Sequence, residues 1–245
     1  MFEDVLANIW KEWKEVIITR SSMRGGWLNI VVIVCLLGIV MPLQFGLDWL
    51  TNPVQPFIWS WLPVFLAIGI VADAFAGERE RHTLETLLAS RLSDQAILYG
   101  KIAIAVIYSW VLGAAGMLLG AVTINIAYPQ GGLQFYPLGN FFIGLGMSLL
   151  AAILISSIGV LVSLRAATPR QAYQRMSIIM LAFWLLPMFG IRLLPDELNA
   201  RMMQILSDLD LHQAFLGLAL LLLVADISLI LIARRRFRRN RLILD

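Results

Sequence analysis

Cysteine is almost absent from this chain of 245 residues: Cys35 stands alone inside an apolar run, which excludes an internal disulfide and a multi-cysteine metal cage. Histidine is nearly as scarce, and His82 and His212 are isolated from any set with metal-ligand spacing. A phosphate-binding loop is missing too. That loop needs G-x-x-x-x-G-K-[ST] so that backbone amides surround the phosphates, and the one Gly-Lys pair, Gly100-Lys101, has Gln95 at the leading glycine position and Ile102 after the lysine. No serine sits in a hydrolase-like turn with an intramembrane base, which argues against an enzyme. Charge is sparse as well: 14% of residues are charged and 60% hydrophobic, where a soluble domain carries about a quarter charged residues. With a mean hydropathy of +0.81, the main solvent of this chain is not water.

What fills the sequence is apolar runs long enough to cross ~30 Å of hydrocarbon at ~1.5 Å per residue. Spans are expected at about Trp27 to Leu47, Phe57 to Ala76, Ile102 to Tyr128, Asn140 to Leu164, Met176 to Leu194 and Leu211 to Ala233. Pro187, Gly190 and Arg192 interrupt the fifth, which predicts a kinked or partly re-entrant segment there. Before the first span, Phe2, Val5, Leu6, Ile9, Trp10, Trp13, Val16 and Ile17 recur at spacings of three and four among charged residues. This pattern predicts an interfacial amphipathic helix over residues 1–24, retained rather than cleaved, since Met1 to Arg20 mixes charge and apolar residues throughout. Residues 25–233 then form the six-span body, and 234–245 a basic tail that meets anionic lipid. Placing the N-terminus inside puts 17 of the 19 lysines and arginines on the cytoplasmic side, leaving only Arg192 and Arg201 outside. The expected fold is therefore an all-α integral membrane protein of the cell membrane, with both termini cytoplasmic. Asp48 to Pro56 and Tyr128 to Pro137 read as external turns, and 195–210 as a short external amphipathic helix.

The cytoplasmic connection Gly77 to Lys101 is far longer than a tight hairpin requires. Helix-forming residues predict a helix over about 78–90, a break near Ser90 to Leu92, and a new helix at Asp94 capped by Ser93. Leu84, Leu87 and Leu88 make a one-sided apolar patch, leaving Glu78, Arg79, Glu80, Arg81 and Glu85 to water or to another protein. Such a helix serves equally as a solvated surface or as a lever gripped by a soluble motor.

The run Glu78-Arg79-Glu80-Arg81-His82-Thr83-Leu84-Glu85-Thr86-Leu87-Leu88, followed by Leu92-Ser93 and Gly100-Lys101, resembles the loop after the second span of ABC-2-type permeases, the membrane subunits of ABC exporters. That family's pattern is E-R-E-x-x-T-L-E-x-L-L, then an L-S turn and a G-K pair. The resemblance extends to the amphipathic N-terminal helix, the six spans and the external segment before the last one. It implies that Glu78 to Leu88, with Thr83 among them, couples to a cytoplasmic ATPase. It implies further that two six-span subunits, identical or related, pair around a pathway lined by spans two and five, and that two ATPase subunits supply ATP and Mg. No cofactor is expected in this chain.

Other candidates compete with simpler roles. Asp226 lies near the membrane midplane, ~12 Å from Arg234 at helical rise, where a carboxylate costs about 2.5 to 3.5 kcal/mol on insertion scales. Proton relay, cation contact and an interhelical hydrogen bond all fit, and the hydrogen bond is favoured because no second ionisable group shares that depth. Asp73 is a candidate for the pathway as well, though solvation or an ion pair near Arg79 explains it more simply. Trp59 and Trp61 read as interfacial anchors, while Phe65, Phe183, Trp184, Met188 and Phe189 offer an adaptable apolar surface to a lipid-like substrate. Gly116 and Gly120 form a GxxxG pattern suited to close helix packing. Dispersed cations beside apolar segments point to lipid rather than nucleic acid.

The leading expectation is a permease subunit without enzymatic activity of its own. An ion-coupled secondary transporter using Asp226, or a non-transporting membrane scaffold, are the alternatives.

Overall fold

The computed structural model describes residues 9–10, 13–14, 24–52, 54–89, 92–129, 131–193, 195–208 and 211–237. Helix is present at 9–10 and 13–14; the remainder of the expected interfacial helix before Arg24, and the tail from 238 onward, lie outside the described residues. Every regular element among the described residues is helical. In apolar surroundings a segment must satisfy its own N–H and C=O groups, and a helix does so without an exposed edge.

The first helix, α1 (Arg24–Cys35), passes through a π-helical turn (Leu36–Val40) into α2 (Met41–Phe45). Pro42 sits at the join and has no N–H to give the carbonyl of Gly38. Thr123 Oγ1, from a neighbouring helix, donates to that carbonyl at 2.5 Å instead. After a short α3 (Asp48–Thr51) come α4 (Gln55–Glu80), α5 (Leu84–Ala89), α6 (Asp94–Ala127), α7 (Leu138–Ser163), α8 (Pro169–Leu193), α9 (Asp196–Asp208) and α10 (Leu211–Arg236). Asp94–Ala127, Leu138–Ser163 and Gln213–Arg236 are each long and apolar enough to cross a membrane. α8 runs as one helix through Pro187 and Gly190, without the re-entrant break that is one of the two expected forms. The proline removes one ladder bond, which a long helix tolerates.

α7 stands at the centre, packing against α4 most extensively and also against α10, α6 and α8. Gly159 allows the α4 approach, because a Cβ there would overlap the Val71 side chain. One end of the bundle collects α5, the start of α6, the 164–168 connection and the end of α10, joined by Phe75, Leu84, Leu87, Ile97, Leu164 and Phe237 in a single buried cluster. At the other end the connections expected as exposed turns are packed inward. Trp49 and Leu50 are buried with Ile124 and Tyr136, and the Tyr136 hydroxyl donates to the Met117 carbonyl at 3.1 Å. Asn125 pins the same connection by exchanging two hydrogen bonds of 2.7 Å with the Gln134 backbone.

Candidate functional site

The 78–90 segment is two elements rather than the single helix expected from its composition. Glu78 to Glu80 complete α4, Arg81 to Thr83 form a turn, and α5 occupies Leu84–Ala89. The turn explains the break. His82 has φ +56, the Thr83 N–H donates to the Glu78 carbonyl at 2.9 Å and the His82 N–H to that of Arg79 at 3.1 Å. This is the Schellman ending of a helix, with histidine where glycine usually takes the left-handed position.

The apolar contact that often accompanies such an ending is replaced here by a polar one. Thr83 Oγ1 donates to Glu78 Oε2, and Lys101 Nζ of α6 donates to Glu78 Oε1 at 3.4 Å. Both side chains of that ion pair are buried, 6% exposed for Glu78 and 2% for Lys101. Lys101 also lies 5.4 Å from the centre of the Phe75 ring, whose other neighbour is Phe237 at 5.2 Å. Glu78 is therefore not available to water or to a partner, as its place in a charged run suggested. A lysine eight residues into an apolar helix needs a carboxylate, and Glu78 supplies it. This pair was missed from sequence, and the signal that could have found it is that lysine.

Arg79 is likewise engaged. Its guanidinium donates to the carbonyls of Ala166 (2.6 Å) and Leu164 (3.1 Å), which close the C-terminus of α7, where a cation also complements the helix dipole. One turn earlier on α4, Ser163 Oγ accepts from the N–H groups of Phe75 (3.1 Å) and Ala76 (3.0 Å) and donates to the Ala72 carbonyl (3.1 Å). The last turns of α4 are thus clasped by α6 and α7 together. Asp73 pairs with Arg81 at 3.3 Å, both half exposed, rather than with the nearer Arg79, whose side chain is committed to α7. Leu84 and Leu87 bury themselves in the cluster beneath, which Trp13 and Leu92 also join. The Leu88 side chain lies outside the described residues. Ser93 caps α6 as expected, its Oγ accepting from the Ala96 N–H at 3.2 Å.

What faces outward is a small surface of Glu80, His82, Glu85 and Thr86. Neither Glu80 nor Glu85 has an ion-pair partner among the described residues. These side chains lie on the last turn of α4, the connecting turn and α5.

The residues expected along a pathway are divided between elements. Phe65 (α4) and Phe183 (α8) are about half exposed, and Phe183 stacks at 5.0 Å on Trp61, which is buried rather than an interfacial anchor. The side chains of Trp59, Trp184 and Met188 lie outside the described residues. Asp226 belongs to α10, which packs on α7 and α6. Its carboxylate is buried at 3% exposure with no hydrogen-bond partner among the described residues, so the favoured interhelical hydrogen bond is not seen among them. The α10 face beside it is apolar, with Leu222 packed on Met147 and Leu154. Among the described residues no three His, Cys, Asp or Glu side chains are grouped to hold a metal ion.

A family model described as ABC-2 family transporter protein matches residues 50–226, which contain α4 to α9, the clasp and Asp226. No curated protein and no solved structure matches the chain.

Proposed function

The chain belongs to the ABC-2 family of transporter proteins, and on that premise we propose that it is the permease subunit of an ATP-driven exporter, working beside a second six-span subunit. In this reading the α1–α2 path, α4, α6, α7, α8 and α10 are the six crossings, and the end bearing α5 faces the cytoplasm. The distribution of cations supports that orientation: Arg79, Arg81, Lys101, Arg165, Arg170, Arg175 and the arginines closing α10 fall at the α5 end, against Arg192 and Arg201 at the other. Two cytoplasmic ATPase subunits bind and hydrolyse ATP with Mg, and this chain performs no chemistry itself.

The observation that carries the proposal is the clasp on α4. Because Glu78, Arg79 and Ser163 tie the end of that helix to α6 and α7, force applied to α5 reaches the membrane helices rather than being absorbed by a slack loop. Glu80 and Glu85 supply the charged grip.

The test is purification from the native membrane with its associated ATPase. The double reversal Glu80→Arg/Glu85→Arg should release the ATPase while leaving the thermal melt of the permease unchanged, because neither side chain has an ion-pair partner among the described residues. Full ATPase retention and transport in that variant would sink the coupling role. An intact complex that hydrolyses ATP but moves nothing would favour the scaffold reading.

Asp226 sustains one second reading, since a buried carboxylate with no hydrogen-bond partner among the described residues, in a membrane helix, is a default candidate for proton or cation handling. In an ion-coupled transporter, Asp226→Asn abolishes transport and collapse of the ion gradient stops it. In the exporter, ATP-driven transport survives both.

A further inference from the structure

α8 and α10 each pack on α7 rather than extensively on one another, and the space between them at the α5 end is a cavity of about 480 Å³. Arg165, Arg175 and Arg236 line it with no carboxylate among the lining residues. None of the three has an ion-pair partner among the described residues, and Arg175 Nη1 donates only to the Arg165 carbonyl, at 3.4 Å. Three cations around one cavity repel one another, so the arrangement calls for an anion. The rest of the wall is apolar.

The register of the helices adds a direction. On α7, Ile158 lies five residues before the last residue, Ser163, ~7 Å deeper at helical rise, with Arg165 in the connection just beyond, and on α10, Leu229 lies seven before Arg236, ~10 Å deeper. On α8, which runs the opposite way, Ile179 lies four residues beyond Arg175, ~6 Å deeper. α8, α10 and the connection that follows α7 thus set a cation at the rim, and all three helices place an aliphatic side chain below it. We propose that this groove holds one anionic phospholipid, its phosphate between Arg165, Arg175 and Arg236 and an acyl chain on Ile158, Ile179 and Leu229. A free phosphate would use the rim and leave the apolar wall bare, whereas a lipid covers both. Bound there, the lipid fills the gap between α8 and α10 and sets where α8 stands on the bundle. The inference rests on the chain lying in a membrane with its α5 end at the headgroups, not on ATP coupling.

The experiment is native mass spectrometry of the full chain in detergent, titrated separately with phosphatidylglycerol, phosphatidylcholine and inorganic phosphate. Wild type should keep one phosphatidylglycerol. Arg165→Gln/Arg175→Gln/Arg236→Gln should weaken it on the order of a hundredfold, about fivefold per arginine, with the affinity falling as salt rises. Arg238→Gln/Arg239→Gln/Arg241→Gln removes the same charge from the tail and should change binding by less than about threefold. Ile179→Trp, which fills the groove and keeps every arginine, should also release the lipid. Equal weakening by the tail variant, equal retention of phosphatidylcholine, displacement by inorganic phosphate alone, or unchanged binding in Ile179→Trp would each overturn the proposal. Loss of ATPase association leaves all of these readouts in place, so failure of the exporter reading is distinguishable from failure of this one.

Discussion

Replacing Lys101 by methionine tests the clasp most directly. The change keeps most of the side-chain volume, so the loss is electrostatic: Glu78 is left 6% exposed without the ammonium charge, the Thr83 hydroxyl still donating to it. At 3.4 Å and an effective dielectric of ~20, the attraction between unit charges is about 5 kcal/mol. Removing one partner of a buried pair costs about 3–5 kcal/mol, because the other charge stays desolvated. Taking ~4 kcal/mol, and about 2–4 °C per kcal/mol for a chain of this size, the melting temperature should fall by on the order of 10 °C. Glu78→Met/Lys101→Met removes both desolvation penalties together, and it should return to within a few degrees of wild type. The assay is thermal unfolding of the detergent-purified chain, followed by tryptophan fluorescence. A single variant that melts within about 3 °C of wild type, or a double variant as unstable as the single one, would refute the assignment of a buried, mutually dependent pair.

Three further outcomes follow from the packing. Gly159→Leu pushes a side chain into Val71 at the crossing of α4 and α7 and should cost at least about 1–3 kcal/mol, read as a lower melt and reduced yield; an unchanged melt would mean the helices do not approach there. Ser163→Ala leaves the Phe75 and Ala76 N–H groups without their acceptor, at about 1–3 kcal/mol, and should speed hydrogen exchange at those two amides above all others on α4. His82→Gly relieves a left-handed backbone and should raise stability by up to about 1 kcal/mol; a drop in the melting temperature would show that the His82 side chain contributes more than its backbone costs.

Much of the secondary structure was legible because the signals for it are local. Long apolar runs place α4, α6, α7, α8 and α10, and Ser93-Asp94 marks the start of α6 by cap chemistry alone. What was not legible is which side chains face another helix. Glu78 and Glu80 stand two apart in the same charged run, yet one is buried and the other exposed, because the end of α4 turns only one of them toward Lys101 on α6. Trp61 lies in a span where tryptophan ordinarily marks the interface, and its burial depends on Phe183, more than a hundred residues away. Trp49 and Tyr136 sit in segments rich in turn residues. They pack inward because Gly120 leaves a space on α6 that both side chains approach. Phe237, in a run of arginines, is buried because Phe75 offers it a ring. In each case the deciding partner is distant in sequence.

The same contacts decide which part of the molecule can move as a body. A helix with a side chain inserted in its i→i−4 ladder is a natural place to bend, and Ser163 does this to α4 between Ala72 and Ala76. Yet the inserting residue belongs to α7, and Arg79 grips the end of α7 one turn further on, so α4 cannot bend away there without breaking contacts to α7 on both sides of the insertion. In the proposed exporter, force on α5 would be carried by α4 and α7 together, and α8, packed on both, and α10, packed on α7, must follow or slide against them. Spin labels at the exposed Ala89 and Ala167 would hold their separation through a cycle of ATP turnover if this is the moving unit. A change in that distance would place the hinge between α4 and α7 and remove the clasp from the transmission path.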